Sequence, residues 1–232
     1  MASVTAAFLL ASCGGNQAPA VDAAKVLRDG GAAMRQLKTV SATLKLTKGT
    51  ITLQGFALVS AKTAVRLPTD SDTTYTVKQQ DITFAVQVVI AGAHVYVKLP
   101  FSTFQEAPPT QAAAFPDMAK LFDSTTGLPV VIPAGATPKY ASTDQVDDTS
   151  AYRISTSYSA DQVHGLLSEL SSSGPVSASV WVDVSDHLIR KAVLDGAFGD
   201  GGTRAVVEVD ITGFNSPVSI TSPPPPTPTP LK

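Results

Sequence analysis

A chain of 232 residues is long enough for one domain of the larger all-β or α+β kind. Charged residues make up 16% and hydrophobic residues 44%, against roughly 25% charged in ordinary soluble domains, so apolar side chains exceed the needs of a compact core and the surplus can line a cavity. A formal net charge of −2 provides no basic stripe to neutralise phosphates, which excludes nucleic acid as the expected partner, and a single cysteine excludes an intramolecular disulfide.

That cysteine, Cys13, follows Leu10-Ala11-Ser12 and precedes Gly14, with the apolar run Ala6 to Leu10 just upstream. The pattern reads as a lipobox. A thiol is needed to take a diacylglyceryl group in thioether linkage, and the small side chains of Ala11 and Ser12 suit a signal peptidase cleaving before it. Residues 1–12 are therefore expected to be a signal peptide and Cys13 the mature N-terminus. Met1 to Thr5 lacks the basic residue with which signal peptides begin, so translation is expected to start upstream of Met1. Two acyl chains, at about 0.8 kcal/mol per buried CH₂, hold a protein stably at a membrane. No window approaches the 18 or so consecutive apolar residues of a spanning helix. The expected location is the extracytoplasmic face of the cell membrane, with the domain outside the bilayer on a lipid anchor.

Residues 13–20 carry the lipidated cysteine and a small, polar tether of roughly 15 Å reach by random-coil scaling. Residues 21–220 form the expected domain. From Pro19 to Lys38, apolar Ala23, Val26, Leu27, Gly30, Ala33, Met34 and Leu37 recur at three- and four-residue spacing, which predicts an amphipathic helix. Ala42, Leu44 and Leu46 then alternate with polar residues, and Lys48-Gly49 offers a hairpin turn into a strand over Thr50 to Val59. The apolar phase changes at Gly55, where a bulge is expected. Ile82, Phe84, Val86, Val88 and Ile90 share one strand face; after a turn at Ala91-Gly92, so do Ala93, Val95, Val97 and Leu99, with His94, Tyr96 and Lys98 opposite.

Asp117 to Asp123 predicts a short helical turn carrying Met118, Leu121 and Phe122. Ser159 with Gln162 forms a capping box ahead of Val163, Leu166, Leu167 and Leu170. Further strands alternate through Tyr152, Ile154 and Tyr158, through Ala178, Val180, Val182 and Val184, and through Ala205, Val207, Val209 and Ile211. Residues 221–232 are rich in Pro, Ser and Thr and read as an extended polyproline tail that does not pack. About ten strands and three helices predict an α+β fold: a strongly curved antiparallel sheet, a half-barrel whose helices cover the concave face around an apolar cavity. Shared strand phase nominates Leu44, Leu46, Phe84, Val86, Val88, Val95, Val97, Ile154, Val180 and Val182 as its lining.

Catalytic and metal constellations are weak. His94, His164 and His187 lie far apart without metal-ligand spacing. Asp144, Asp147 and Asp148 read as a solvated loop, since they lack the spaced acidic pattern and glycine of a calcium loop. There is no Gly-x-Ser-x-Gly nucleophile elbow and no phosphate-binding glycine loop. Trp181 is expected to pack against strand neighbours rather than stack on a sugar. The expectation is a protein that is not an enzyme and has neither metal nor cofactor beyond the diacylglyceryl group on Cys13.

The lipobox at Cys13, Met34-Arg35-Gln36-Leu37, Gly127-Leu128 after Leu121-Phe122-Asp123, the Tyr158 to Leu170 cap and helix, and Val180-Trp181-Val182-Asp183 followed by Leu188-Ile189-Arg190 occur in this order. Their order resembles the actinobacterial LppX/LprA/LprF/LprG lipoprotein family from Cys13 to about Ile220, although the short N-terminus and long proline tail depart from its usual form. The resemblance implies a half-barrel related in shape to the Lol lipoprotein carriers, a hydrophobic cavity, and transfer of di- or triacylated lipids or glycolipids across the cell envelope; an envelope transporter is a further partner to consider. The alternative is a surface interaction or accessory lipoprotein without a lipid ligand.

Overall fold

The computed structural model describes residues 20–112, 115–166 and 172–224. The lipobox with Cys13, most of the tether, Leu167 and Leu170, and the tail from residue 225 lie outside the described residues. After helix α1 (Ala23–Met34) the chain forms β1 (Thr39–Lys48), β2 (Thr52–Leu53), β3 (Phe56–Arg66), β4 (Asp70–Gln79), β5 (Ile82–Ala91), β6 (His94–Lys98) and β7 (Gln105–Glu106). Short helices α2 (Pro109–Ala112), α3 (Met118–Leu121) and α4 (Leu128–Val131) follow, the last continued by a 3₁₀ turn at Ile132–Ala134. The chain ends with β8 (Ala136–Val146), β9 (Thr149–Tyr158), α5 (Ala160–Leu166), β10 (Val176–Asp183), β11 (Ile189–Gly196) and β12 (Ala205–Thr212).

The twelve strands form one curved sheet in the order β7-β6-β5-β4-β3-β1-β12-β11-β10-β9-β8, with β2 attached beside β3. Every pairing is antiparallel. β1 is central, with Leu44 opposite Ala61 of β3 on one side and Val209 of β12 on the other. Register shifts at Leu46/Lys48, Leu58/Ser60, Trp181/Val182 and twice along β8–β9 mark where strands bend and their twist increases. The helices lie over the concave face, giving the expected α+β half-barrel.

α1 is shorter than the predicted span. Asp22 caps it, its carboxylate accepting the Lys25 N–H at 3.0 Å, and it buries Ala23, Leu27, Gly30, Gly31 and Met34. Adjacent glycines inside a helix cost about 1 kcal/mol each relative to alanine, but packing demands one here. A Cβ on Gly31 would lie 2.5 Å from Pro133 Cγ and 2.6 Å from the Pro129 carbonyl oxygen. The helix crosses α4 and its 3₁₀ extension at backbone distance. The capping box forms as predicted: Ser159 Oγ accepts the Gln162 N–H at 3.2 Å, and Gln162 Oε1 accepts the Ser159 N–H at 2.8 Å.

Three expectations are corrected. Lys48-Gly49 does not close a hairpin of β1 with its successor; β1 pairs with β3, and the tight turn is Gln54-Gly55, both at positive φ (52° and 83°), between β2 and β3. Gly55 is therefore a turn residue, and the bulge lies further on, between Leu58 and Ser60. β4 and β8 are strands that alternation of apolar residues did not disclose. β4 turns Ser71 and Thr73 inward beside Tyr75 and Val77, and the Thr73 hydroxyl is satisfied by Thr63 Oγ at 2.8 Å. β8 is largely exposed, so Asp144 sits on a strand rather than in a loop, while Asp147, at φ 51°, and Asp148 form the β8–β9 turn.

The β10–β11 hairpin is closed by a buried ion pair. Asp183, only 1% exposed, accepts from Ser185 N and Oγ (2.7 and 2.6 Å), from Asp186 N (3.3 Å), and from Arg190 Nε and Nη2 (both 3.1 Å). The Arg190 guanidinium also lies 4.7 Å from the centre of the Phe214 ring. Burial pushes the Asp183 carboxyl up, but hydrogen bonds from Ser185, Thr149 and the Asp186 amide outweigh it and hold it well below the usual carboxylate range. A depressed folded pKa contributes stability above the unfolded value of about 3.9, and that stability is lost as pH falls toward the folded value. Urea unfolding should therefore show stability declining below about pH 4. Asp183→Asn should flatten that decline and cost about 1–3 kcal/mol at neutral pH; an unchanged acid limb would show that another group governs it.

Candidate functional site

One cross-strand row on the concave face runs Val86, Tyr75, Ala61, Leu44, Val209, Ala192, Val180 and Ile154. Its middle, from Ala61 to Val180, forms the floor of an apolar cavity of about 90 Å³. Ala42, Thr63, Ile189 and Ile211 on one side of the row and Leu194 and Val207 on the other complete the floor. The roof is Met118, Leu121 and Phe122 at α3, Leu128, Val131 and Ile132 at α4, and Val163 and Leu166 at α5, while Tyr158 at the end of β9 closes one side. The helices are positioned by their caps and by the close crossing at Gly31. Asp117 Oδ1 accepts the Ala119 N–H at 3.1 Å, and Asp123, whose carboxyl is held down at about 2 by hydrogen bonds from the hydroxyls and amides of Thr125 and Thr126, fixes the α3–α4 turn.

The walls are almost wholly carbon. Two lining residues carry hydroxyls, and both are satisfied within the protein: Thr63 by Thr73, and Tyr158 by donating to the Ile132 carbonyl at 3.1 Å. Burial pushes the Tyr158 phenol well above its ordinary pKa. A space lined this way offers water no partners and stays dry. Its described lining is suited to taking up hydrocarbon. A smaller apolar cavity of about 40 Å³ adjoins it, sharing Leu44, Ala61, Met118 and Val207 and extending to Leu53, Leu58, Tyr75 and Pro116.

Of the nominated lining, Leu44 and Val180 stand on the cavity wall. Leu46, Ile154 and Val182 belong to the same core cluster but lie off that wall. Phe84, Val86, Val88, Val95 and Val97 lie in a second cluster with Leu53, Tyr75 and Val77 toward the β6 end of the sheet. Strand phase, the basis for all ten, identifies a face but not the stretch of a wide sheet that the helices roof over. The helical lining and Ala61, Ala192, Leu194 and Val209 were missed. A usable signal was present in the alanines, since small residues facing large ones across a register leave space, but reading it needs the pairing. Trp181 lies on the opposite, convex face, where its Nε1–H donates to Asp144 Oδ2 at 2.8 Å and its ring is flanked by Arg153 and Lys191 at 6.0 and 5.8 Å.

A half-barrel with a helix-roofed apolar cavity defines the structural class. Residues 22–220 match the LppX_LprAFG lipoprotein family model, and the chain belongs to that family. It is 25% identical over 139 residues to the lipoarabinomannan carrier protein LprG of Mycolicibacterium smegmatis, covering 58% of this chain and 55% of that protein. The lipoarabinomannan carrier protein LprG of Mycobacterium leprae is 24% identical over 136 residues, with 58% and 55% covered. The chain thus spans about 55% of the length of these curated relatives. The crystal structure of LprF from Mycobacterium bovis superposes with a TM-score of 0.72 at 17% identity, covering 87% of this chain and 96% of that one. For LppX from Mycobacterium tuberculosis the values are 0.63, 18%, 85% and 97%. Likeness at these identities shows a shared fold.

Bulky substitutions should separate cavity from filled core. Val86→Trp falls in the packed second cluster and should cost about 1–3 kcal/mol, whereas Val209→Trp projects into free space and should cost clearly less. Thermal melts of the two variants test this; equal losses would show that the Val209 side of the cavity cannot accept bulk.

Proposed function

We propose that this protein binds the acyl chains of a di- or triacylated lipid or glycolipid between its sheet and helices and carries it across the cell envelope, held at the extracytoplasmic face of the membrane by a diacylglyceryl group on Cys13. The observation that carries the reading is the carbon-lined cavity, in which the two hydroxyls among the described lining residues are satisfied internally. The names of the LprG relatives, lipoarabinomannan carriers, support it.

The energetics fit a passive carrier. A lipid with two sixteen-carbon chains has about 30 methylenes, and exposing them to water costs on the order of 24 kcal/mol. Moving the chains from bilayer to an apolar cavity exchanges one hydrocarbon setting for another, so loading needs no nucleotide in this chain. An envelope transporter would act as donor or acceptor. A cavity of about 90 Å³ has room for roughly six to nine water-sized groups, fewer than the cargo requires. Loading must therefore part the roof from the floor. The roof helices lie outside the strand ladder, so parting them breaks no hydrogen bond of the sheet.

Organic extraction of the purified chain, followed by mass spectrometry, tests the cargo. A multi-acyl lipid is expected, with a marked loss in Val209→Trp; an empty extract from the wild-type chain would favour an accessory lipoprotein without a ligand. The anchor has its own test. Cys13→Ala should leave the protein unable to partition into a detergent phase, because two acyl chains are lost, and unchanged partitioning would defeat the lipobox reading.

A further inference from the structure

Among the described residues, four large apolar side chains with substantial exposure, Val59, Ile82, Leu99 and Phe101, fall at one end of the sheet. The register places them at the same end of neighbouring strands. Leu58 pairs with Val77, Val77 with Phe84 and Gln79 with Ile82, while β6 leaves its pairing at Gln87–Lys98 and runs on toward the same end with Leu99 and Phe101. We propose that this end of the sheet, led by the Leu99–Phe101 turn, docks onto the surface of a lipid bilayer.

The exposure is built into the fold. Along the concave face of β5, exposure rises from 1% at Val88 and 5% at Val86, through half-buried Phe84, to 68% at Ile82. The face runs out from under its cover while still apolar. Phe101 is fully exposed at φ 60°, a conformation that disfavours a bulky side chain and is met by glycine or asparagine in ordinary turns. Ser102 holds the turn, its Oγ accepting the Leu99 N–H at 3.0 Å and donating to the Leu99 carbonyl at 2.9 Å. Strain kept in place to present an aromatic ring to solvent points to a contact outside the chain.

Two features select a bilayer as that contact. The patch combines an aromatic tip with aliphatic neighbours, and Lys98 stands behind it on the opposite face of β6, its ammonium 5.6 Å from the centre of the Phe104 ring, where a cation at a membrane interface sits among headgroups; Asp81, at the same end, is offset by Lys78 at 3.6 Å. The patch is also continuous with the cavities: Phe84 meets Phe56 edge-on at 5.1 Å, and Leu53 and Leu58 beside it wall the smaller cavity. The purpose of docking rests on the lipid reading, because docking there sets bilayer hydrocarbon beside the cavity system; the exposed edge does not.

The test uses the full chain with Cys13→Ala, which removes the anchor, floated with vesicles of phosphatidylglycerol or of phosphatidylcholine. The chain should float with vesicles. Phe101→Asp and Leu99→Asp should each lower partitioning by about tenfold, with the Phe101→Asp melting temperature unchanged and Val184→Asp without effect. In this cysteine-free background, an environment-sensitive dye on Phe101→Cys should shift to the blue on vesicle addition, and one on Val184→Cys should not. Failure to float, equal effects of Phe101→Asp and Val184→Asp, or a dimer abolished by Phe101→Asp in a chain that ignores vesicles would overturn the proposal. Lipid co-purified with the wild-type chain keeps the two readings apart. Retained cargo without vesicle binding sinks docking alone, and Phe101-dependent flotation of a cargo-free chain supports docking while sinking the carrier.

Discussion

β1 hydrogen-bonds to β3 on one edge and to β12 on the other, and the rest of the structure depends on that double pairing. Without it the meander from β3 to β7 and the meander from β8 to β12 would be two separate sheets, each too open to enclose anything. The contact is costly to form, because Ser41 meets Thr212 across most of the domain and long-range pairings are reached late in folding. The C-terminal segment reinforces it. Asn215 Oδ1 accepts the Lys38 N–H at 2.8 Å, Thr39 Oγ donates to the Ser216 carbonyl at 2.6 Å, and Arg66 Nη2 donates to the Ile220 carbonyl at 3.0 Å. Leu44, midway along β1, thereby becomes the centre of the cavity floor.

Much of this was legible in the chain. Period-two alternation located β1, β5, β6, β9, β10 and β12, and the Ser159–Gln162 box located the start of α5, because each depends on local chemistry that neighbours in sequence supply. The failures have one cause, which is that the deciding partner is remote. β4 escaped because Ser71 and Thr73 face inward, and Thr73 is tolerable there only because Thr63 on the neighbouring strand completes its hydrogen bond. The need for Gly31 in α1 is not visible locally, because its reason, Pro133, is about a hundred residues away. Phe84 and Val86 have the correct phase and face, but they lie beyond the part of the sheet that the helices roof over.

The resemblance read from Val180 to Asp183 and Leu188 to Arg190 acquires a physical content in the fold. These segments face each other as the β10–β11 hairpin, and the buried carboxylate of Asp183 gathers two backbone amides, a serine hydroxyl and the Arg190 guanidinium around it. A buried carboxylate with one partner is expensive, whereas one with several donors is held charged and rigid. The hairpin in turn fixes Val182 and Ile189, which pack beside Gly30 of α1. The polar turn therefore sets the position of the helix at the cavity margin without touching the cavity.

An unfilled apolar space costs stability, by about 24 cal/mol per Å³ in core-truncation series, so a cavity of about 90 Å³ costs on the order of 2 kcal/mol. A fold selected only for stability would close it, and the means are at hand, since a leucine in place of Ala61 or Ala192 would project into the space. The same alanines, small beside Leu44, Val180 and Val209 in the central row of the floor, keep sheet and roof from interlocking. Short helices add to this: α3 and α4 span four residues each, too few to hold together without tertiary contacts. A roof of that kind separates from the floor at modest cost, and any hydrocarbon that enters recovers the energy lost to the void. Ligand bound to the folded state alone then raises its stability by mass action, so the penalty of the empty cavity becomes part of the driving force for filling it.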